Sequence, residues 1–213
     1  MQEAKTDWNI LYAVPGIPAG SQPTAVKVLD ASHVVIYGRG DRTLRWYTIS
    51  GTTHATMSAT PAGTLQLSEF TEIGASLNTG YWQSYPVTGG WYLEVVGGTI
   101  GVMGQTVNGN GTMSQKLALV DGTTKTLRQY VDLPDGTVRI APDSTNSAFA
   151  VEYPDLSGDS PVTRFARVYA DTGNTALLTS TSELVPGAGF LITQDGSYIA
   201  VFVLGGIDLQ PNQ

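Results

Sequence analysis

The side chains that could carry out chemistry are few and scattered. There are two histidines, His33 and His54. A Ser–His–Asp relay places its serine on a strained turn, and no Gly-x-Ser-x-Gly segment occurs in the sequence. His33 precedes an apolar run and His54 follows a Gly turn, so both read as surface histidines. Glycoside hydrolysis needs two carboxylates facing one cleft, about 5–10 Å apart. Glu94 and Glu152 sit inside strand-like runs and Asp30 follows one. Glu94 lies in the first strand of its unit and Glu152 in the second strand of another, so the pattern does not bring them together. The stretch Asp155-Leu156-Ser157-Gly158-Asp159-Ser160 is rich in oxygen ligands, but it lacks the alternating spacing of a calcium loop and reads as a hairpin tip. Arg39-Gly40-Asp41 lies between two strands, where a glycine turn is needed in any case. No catalytic residue, metal site or cofactor is expected.

Aromatic residues give the clearest candidate for binding. Tyr81, Trp82 and Tyr85 are followed closely by Trp91 and Tyr92. Tyrosine and tryptophan join an apolar face to a polar handle, which suits sugar rings and protein surfaces. Alternation sends Tyr81, Gln83 and Tyr85 to one side of a strand and Trp82 and Ser84 to the other. One of those sides is needed for the core.

The elements that must position these residues are strands. The 213 residues include 25 glycines, and only 14 % are charged. Helical spacing is nearly absent, and short apolar runs bounded by turn residues recur throughout. One unit reads Val138-Arg139-Ile140 as a strand and Ala141-Pro142-Asp143-Ser144 as a turn. Ala148–Tyr153 and Phe165–Tyr169 follow as strands, then the turn Asp171-Thr172-Gly173-Asn174, where Gly173 supplies a positive φ, and last Thr175–Leu178. The order repeats from Val26 to Ile49 and from Trp91 to Leu127. A weaker copy starts at Leu65-Gln66-Leu67 and includes Tyr81–Tyr85. The last copy has Phe190–Ile192 and Tyr198–Val203, and no third strand is evident. Trp8–Val14 has the third-strand pattern, so the N-terminal segment is expected to complete this unit and protect its edge. Turn glycines Gly16, Gly51, Gly89, Gly122 and Gly173 recur every 33 to 51 residues. The reading is all-β: one domain over 1–213, a small β-propeller of about five four-stranded antiparallel blades closed by the N-terminal strand. A β-sandwich is the alternative.

Two segments carry a resemblance. Ile140-Ala141-Pro142-Asp143 followed by Ala148-Phe149-Ala150, and Ile192–Ala200 with Asp195-Gly196 at its turn, resemble blades of the TolB-like and WD40-like β-propellers. Such blades often read Ser-Pro-Asp-Gly before a small apolar strand. Asp143 lacks the following glycine, and no Trp-Asp pair ends a unit. The likeness covers two blades well and two more loosely. It implies a ring of blades and no particular activity. By shape alone, a five-bladed ring is also similar to certain lectins and glycosidases.

Charge and composition narrow the partners. The net charge is −7, with 11 lysines and arginines. Nucleic acids and anionic membranes call for clustered basic residues. With no cysteine, disulfides and thiolate metal sites are absent. No signal peptide is visible at Met1–Asp7, and no apolar run reaches membrane-spanning length. The expectation is a non-catalytic structural or docking propeller in a larger assembly, such as a phage virion tail or capsid-associated protein. Its partners would be other proteins of that assembly, at a virion or extracellular surface, with no nucleic acid and no membrane insertion. The alternative is a lectin-like adhesin binding surface glycans through Tyr81, Trp82, Tyr85, Trp91 and Tyr92. A glycoside hydrolase is the third reading.

Overall fold

Strand alternation decides which side chains meet. In the run Ile100–Gly104, Ile100, Val102 and Gly104 point one way while Gly101 and Met103 point the other. Both sets are buried, so the strand is covered on both faces. The computed structural model shows how, and it describes residues 15–21, 23–51, 56–71, 93–109, 113–155, 157, 162–182, 190–203 and 206–212.

Four antiparallel sheets follow one another along the chain. The first holds β1 (Pro23–Asp30), β2 (His33–Gly38), β3 (Thr43–Ser50) and β4 (Ser58–Gln66). The second holds β5 (Leu93–Val96), β6 (Thr99–Val107), β7 (Met113–Asp121) and β8 (Thr126–Asp132). The third holds β9 (Arg139–Asp143), β10 (Ala148–Asp155), β11 (Val162–Tyr169) and β12 (Thr175–Ser182). The fourth holds β13 (Phe190–Ile192), β14 (Tyr198–Val203) and β15 (Gly206–Pro211). Each is a meander in which consecutive strands pair. In the first three, the pairing of third and fourth strands contains a bulge, at Trp46/Tyr47, Leu119/Val120 and Arg164/Ala166. A bulge raises the local twist of the strand that carries it.

The sheets stack face to face in chain order. Val35, Tyr37, Leu44 and Trp46 of the first sheet pack on Ile100, Val102, Ala118 and Val120 of the second. The other face of the second sheet gives Met103, Leu117 and Leu119 to Phe149, Val151, Ala166 and Val168 of the third. The third sheet's far face, with Ala150 and Phe165, meets Phe190, Ile199 and Val201 of the fourth. Glycine makes room for rings at two seams. A Cβ on Gly101 would lie 2.8 Å from the Phe149 ring, and one on Gly104 would lie 2.5 Å from Phe70. Edge-on aromatic pairs bridge two seams, Phe70–Tyr130 at 5.4 Å and Phe165–Phe190 at 5.2 Å. The first strands also touch in succession, β1 with β5, β5 with β9 and β9 with β13. The sheets are thus compatible with blades set around a common line of first strands.

Four expectations change. Ala141, Pro142 and Asp143 belong to strand β9, and the turn starts at Ser144, because Phe149 and Ala148 pair directly with Pro142 and Asp143. Leu65 and Gln66 end β4 as the fourth strand of the first sheet, paired with Leu44 and Thr43, so they do not open a further unit. The first and second sheets pack directly on each other, and the described residues form four sheets against the five or so expected; Tyr81–Tyr85 of the weaker copy lies outside the described residues. The third-strand place beside β14 is taken by β15, where Ile207, Leu209 and Pro211 alternate with Asp208 and Gln210. Trp8–Val14 lies outside the described residues.

Candidate functional site

The carboxylates proposed for hydrolysis are each held by a cation. Glu94 on β5 meets the Lys27 ammonium of β1 at 2.8 Å. Burial pushes the Glu94 carboxyl above its ordinary range, and Lys27 only partly offsets this. Glu152 on β10 lies 3.8 Å from Arg139 on β9, and both are buried. The Glu94–Lys27 pair joins the first strands of two sheets, whereas the Glu152–Arg139 pair lies within the third sheet. Asp41 accepts hydrogen bonds from Arg45 and Ser21, so the Arg39-Gly40-Asp41 turn is tied inward. Asp155 is engaged by Ser157 and, at 2.6 Å, by Arg164. Leu156, Gly158, Asp159 and Ser160 of that loop lie outside the described residues. His54 and the aromatic candidates Tyr81, Trp82, Tyr85, Trp91 and Tyr92 lie outside the described residues.

Asp143 does more than order its turn. It accepts from Asn146, as a turn carboxylate does, but it is also completely buried. Its Oδ2 accepts from Arg167 Nε at 3.0 Å and from Asn212 Nδ2 at 3.0 Å. Asn212 Oδ1 accepts from Arg167 at 2.8 Å, and Asn212 Nδ2 also donates to the Gly196 carbonyl. The network ties the third sheet to the fourth. Asp195 shows the simpler arrangement expected of it, accepting from Thr193 Oγ1 and the Ser197 N–H.

A cleft of about 390 Å³ opens between the first and second sheets, at the end bearing the β1–β2, β5–β6 and β7–β8 turns. Leu29, Ala62 and Val95 give it apolar walls, and Asp30, His33, Thr123 and Lys125 give it polar ones. The His33 Nδ1 lies 2.8 Å from Asp30 Oδ1. The Ser32 N–H, with His33 behind it, holds the Asp30 carboxyl below the usual range. Asp121 accepts from the N–H groups of Thr123 and Thr124, which fixes the β7–β8 turn. Within that turn the left-handed residue is Lys125, at φ 59°, and not Gly122. A left-handed conformation costs a side-chain-bearing residue about 1–2 kcal/mol. Lys125 crosses Gly63, where a Cβ would lie 2.9 Å from its Cδ, and its ammonium donates to the Ala62 carbonyl. Trp46, 2 % exposed, also lines the cleft, and its buried Nε1–H has no acceptor among the described residues. Leaving such a donor unmatched costs about 1–3 kcal/mol. Sequence reasoning missed this site. The Asp121–Lys125 turn was visible, but its register against Trp46 and Gly63 is a contact between two sheets.

The fourth sheet presents a different surface. Leu191 pairs with Ala200, and Ala200 with Leu209, which makes one row across three strands. Tyr198 and Ile207 share this side by alternation. It faces away from the third sheet, and Leu191, Tyr198, Ile207 and Leu209 are 44 to 58 % exposed.

The sequence matches no protein-family profile and no curated protein sequence. Among solved structures it is similar to Hsv2p of Kluyveromyces lactis, at 8 % identity and a TM-score of 0.29, covering 84 % of this chain. The chain spans 56 % of the length of that structure. It is also similar to a catalytically inactive virginiamycin B lyase from Staphylococcus aureus, solved with quinupristin, at 9 % identity and a TM-score of 0.24, covering 92 % of this chain and 87 % of the other.

Proposed function

We propose that this chain is a non-catalytic docking module built of propeller blades, and that it serves in a larger assembly of repeated subunits. The apolar outer face of the fourth sheet carries this reading. Leu191, Tyr198, Ile207 and Leu209 form a contiguous exposed patch, where a second copy of the chain could pack. A phage virion, at its tail or capsid, is a setting that uses many copies of one low-charge, cysteine-free chain. A Leu209→Asp variant is expected to keep its fold and lose self-association, as read by native mass spectrometry and sedimentation. A wild-type protein that stays strictly monomeric at high concentration would overturn the proposal.

A second reading rests on the first sheet. Val26 and Val28 on its outer face are also exposed, at 38 and 70 %. Closure of the blades into a ring would bury both end faces against each other. The cysteine-free background makes the choice accessible. A Val28→Cys/Leu209→Cys protein that forms an intramolecular disulfide supports the ring and removes this face from docking. Intermolecular links support docking. The lectin-like alternative keeps its own test, a glycan array in which Trp82 or Trp91 variants lose sugar binding.

A further inference from the structure

The hairpin between β6 and β7 carries chemistry that docking does not use. We infer that Asn108 is a self-modification site, at which the backbone nitrogen of Gly109 displaces the side-chain amide and leaves aspartate or isoaspartate in the folded protein. Three observations converge. Asn108 is the first residue beyond β6, and both it and Gly109 are exposed. A Cβ on Gly109 would meet nothing within 4 Å, so the space around the attacking nitrogen is open. The Asn108 carbonyl is also polarised. Its Oδ1 accepts from Ser114 Oγ at 3.2 Å, and Ser114 Oγ lies 3.0 Å from the hydroxyl of buried Thr106. With Ser114 donating to Asn108, Thr106 donates to Ser114, and the two hydroxyls form a relay that ends on Oδ1.

The reaction needs only water. Hydroxide takes the Gly109 N–H proton, and the nitrogen attacks Asn108 Cγ. The carbonyl electron pair moves to Oδ1, where the Ser114 hydroxyl stands as an oxyanion donor. The Cγ–Nδ2 bond then breaks, Nδ2 takes a proton from water and leaves as ammonia, and a cyclic imide remains. Water opens the imide at either carbonyl. The product adds a negative charge, and as isoaspartate it also adds a methylene to the backbone of the hairpin. The other described asparagines lack this set. Asn146 gives its amide to Asp143, and Asn212 is buried. Asn174 precedes Thr175, whose branched side chain crowds its nitrogen.

The test is incubation of the intact protein in mildly alkaline buffer, followed by peptide mass spectrometry. Fragment spectra separate Asn108 from Asn110, which lies outside the described residues, and enzymatic methylation scores isoaspartate. Asn108 is expected to convert faster than Asn146, Asn174 and Asn212. Ser114→Ala should slow this conversion about tenfold in the folded protein, and Ser114→Thr, which keeps the hydroxyl, should not. In urea, where the relay is gone, wild type and Ser114→Ala should convert alike. Gly109→Ala, on the exposed loop, keeps the fold and should slow Asn108 about tenfold by crowding the nitrogen. Conversion of Asn108 no faster than that of Asn174 would overturn the inference. So would a folded Ser114→Ala rate equal to or above wild type, a Ser114→Ala effect that persists in urea, or an unchanged rate in Gly109→Ala.

Discussion

The seam between the second and third sheets and the outer face of the fourth sheet are made of similar residues with opposite fates. At the seam, Phe149, Val151, Leu117 and Leu119 are completely buried. On the outer face, Leu191, Tyr198, Ile207 and Leu209 remain about half exposed. Alternating apolar residues in a strand therefore do not by themselves make a core. The buried seams have two further devices. Gly101 leaves a hollow that the Phe149 ring fills, and the next seam is pinned by the buried Asp143–Arg167–Asn212 network. The outer face has Ala200 at the centre of its row, too small a side chain to anchor a partner.

Breaking the seam should have the largest effect. Phe149→Ala removes the ring that fills the Gly101 hollow, and a loss of about 3–5 kcal/mol is expected in urea denaturation. A loss below about 1 kcal/mol would mean that the seam collapses freely and does not differ in kind from the outer face. The polar pin comes next. Asn212→Ala strips partners from buried Asp143 and Arg167 and should cost about 1–3 kcal/mol by the same measurement. Faster exchange confined to the amides of β14 and β15 would confirm that the pin holds the fourth sheet to the third. An unchanged stability would show that the stack needs no pin.

The smallest effect lies away from both regions. The Ser157 hydroxyl and N–H, then Arg164, hold the partly exposed Asp155 carboxyl near pH 2, below its ordinary 3.8. The folded state therefore favours the ionised form. That contribution is present above the ordinary value and is lost as the pH falls through about 2. The stability gap between wild type and Asp155→Asn should be constant near neutrality, shrink in acid and vanish at the lowest pH. A gap that persists there would assign it to packing.

Local signals were legible in the sequence. Val34–Tyr37, Ala148–Tyr153 and Tyr198–Val203 are strands as their side-chain types require, and Gly173 turns with positive φ. The all-β class and the meander order followed from the same signals. What the sequence hid is nonlocal. Leu65-Gln66 ends one sheet rather than starting another because its partners, Leu44 and Thr43, lie a full hairpin away. β15 was obscured by its glycine start and by Pro211, although Ile207 and Leu209 do alternate with Asp208 and Gln210. Asp143 looked like a turn residue because Asn146 is near in sequence, while Arg167 and Asn212 are 24 and 69 residues away. The cleft was illegible for the same reason. Trp46 and Lys125 belong to different sheets, and no spacing along the chain predicts an unmatched indole N–H.

The long reach of Asn212 also has a consequence in time. A chain made from its N-terminus completes the third sheet before Asn212 exists, and folding can begin during synthesis. Until then, Arg167 and Asp143 have each other but lack their last partner, and water must serve in its place. The third sheet therefore waits in an unfinished state, and arrival of the β15 segment both adds a strand and expels that water. The β15 segment thus acts as a timing signal, and the seam between the third and fourth sheets dries only once Asn212 has joined it.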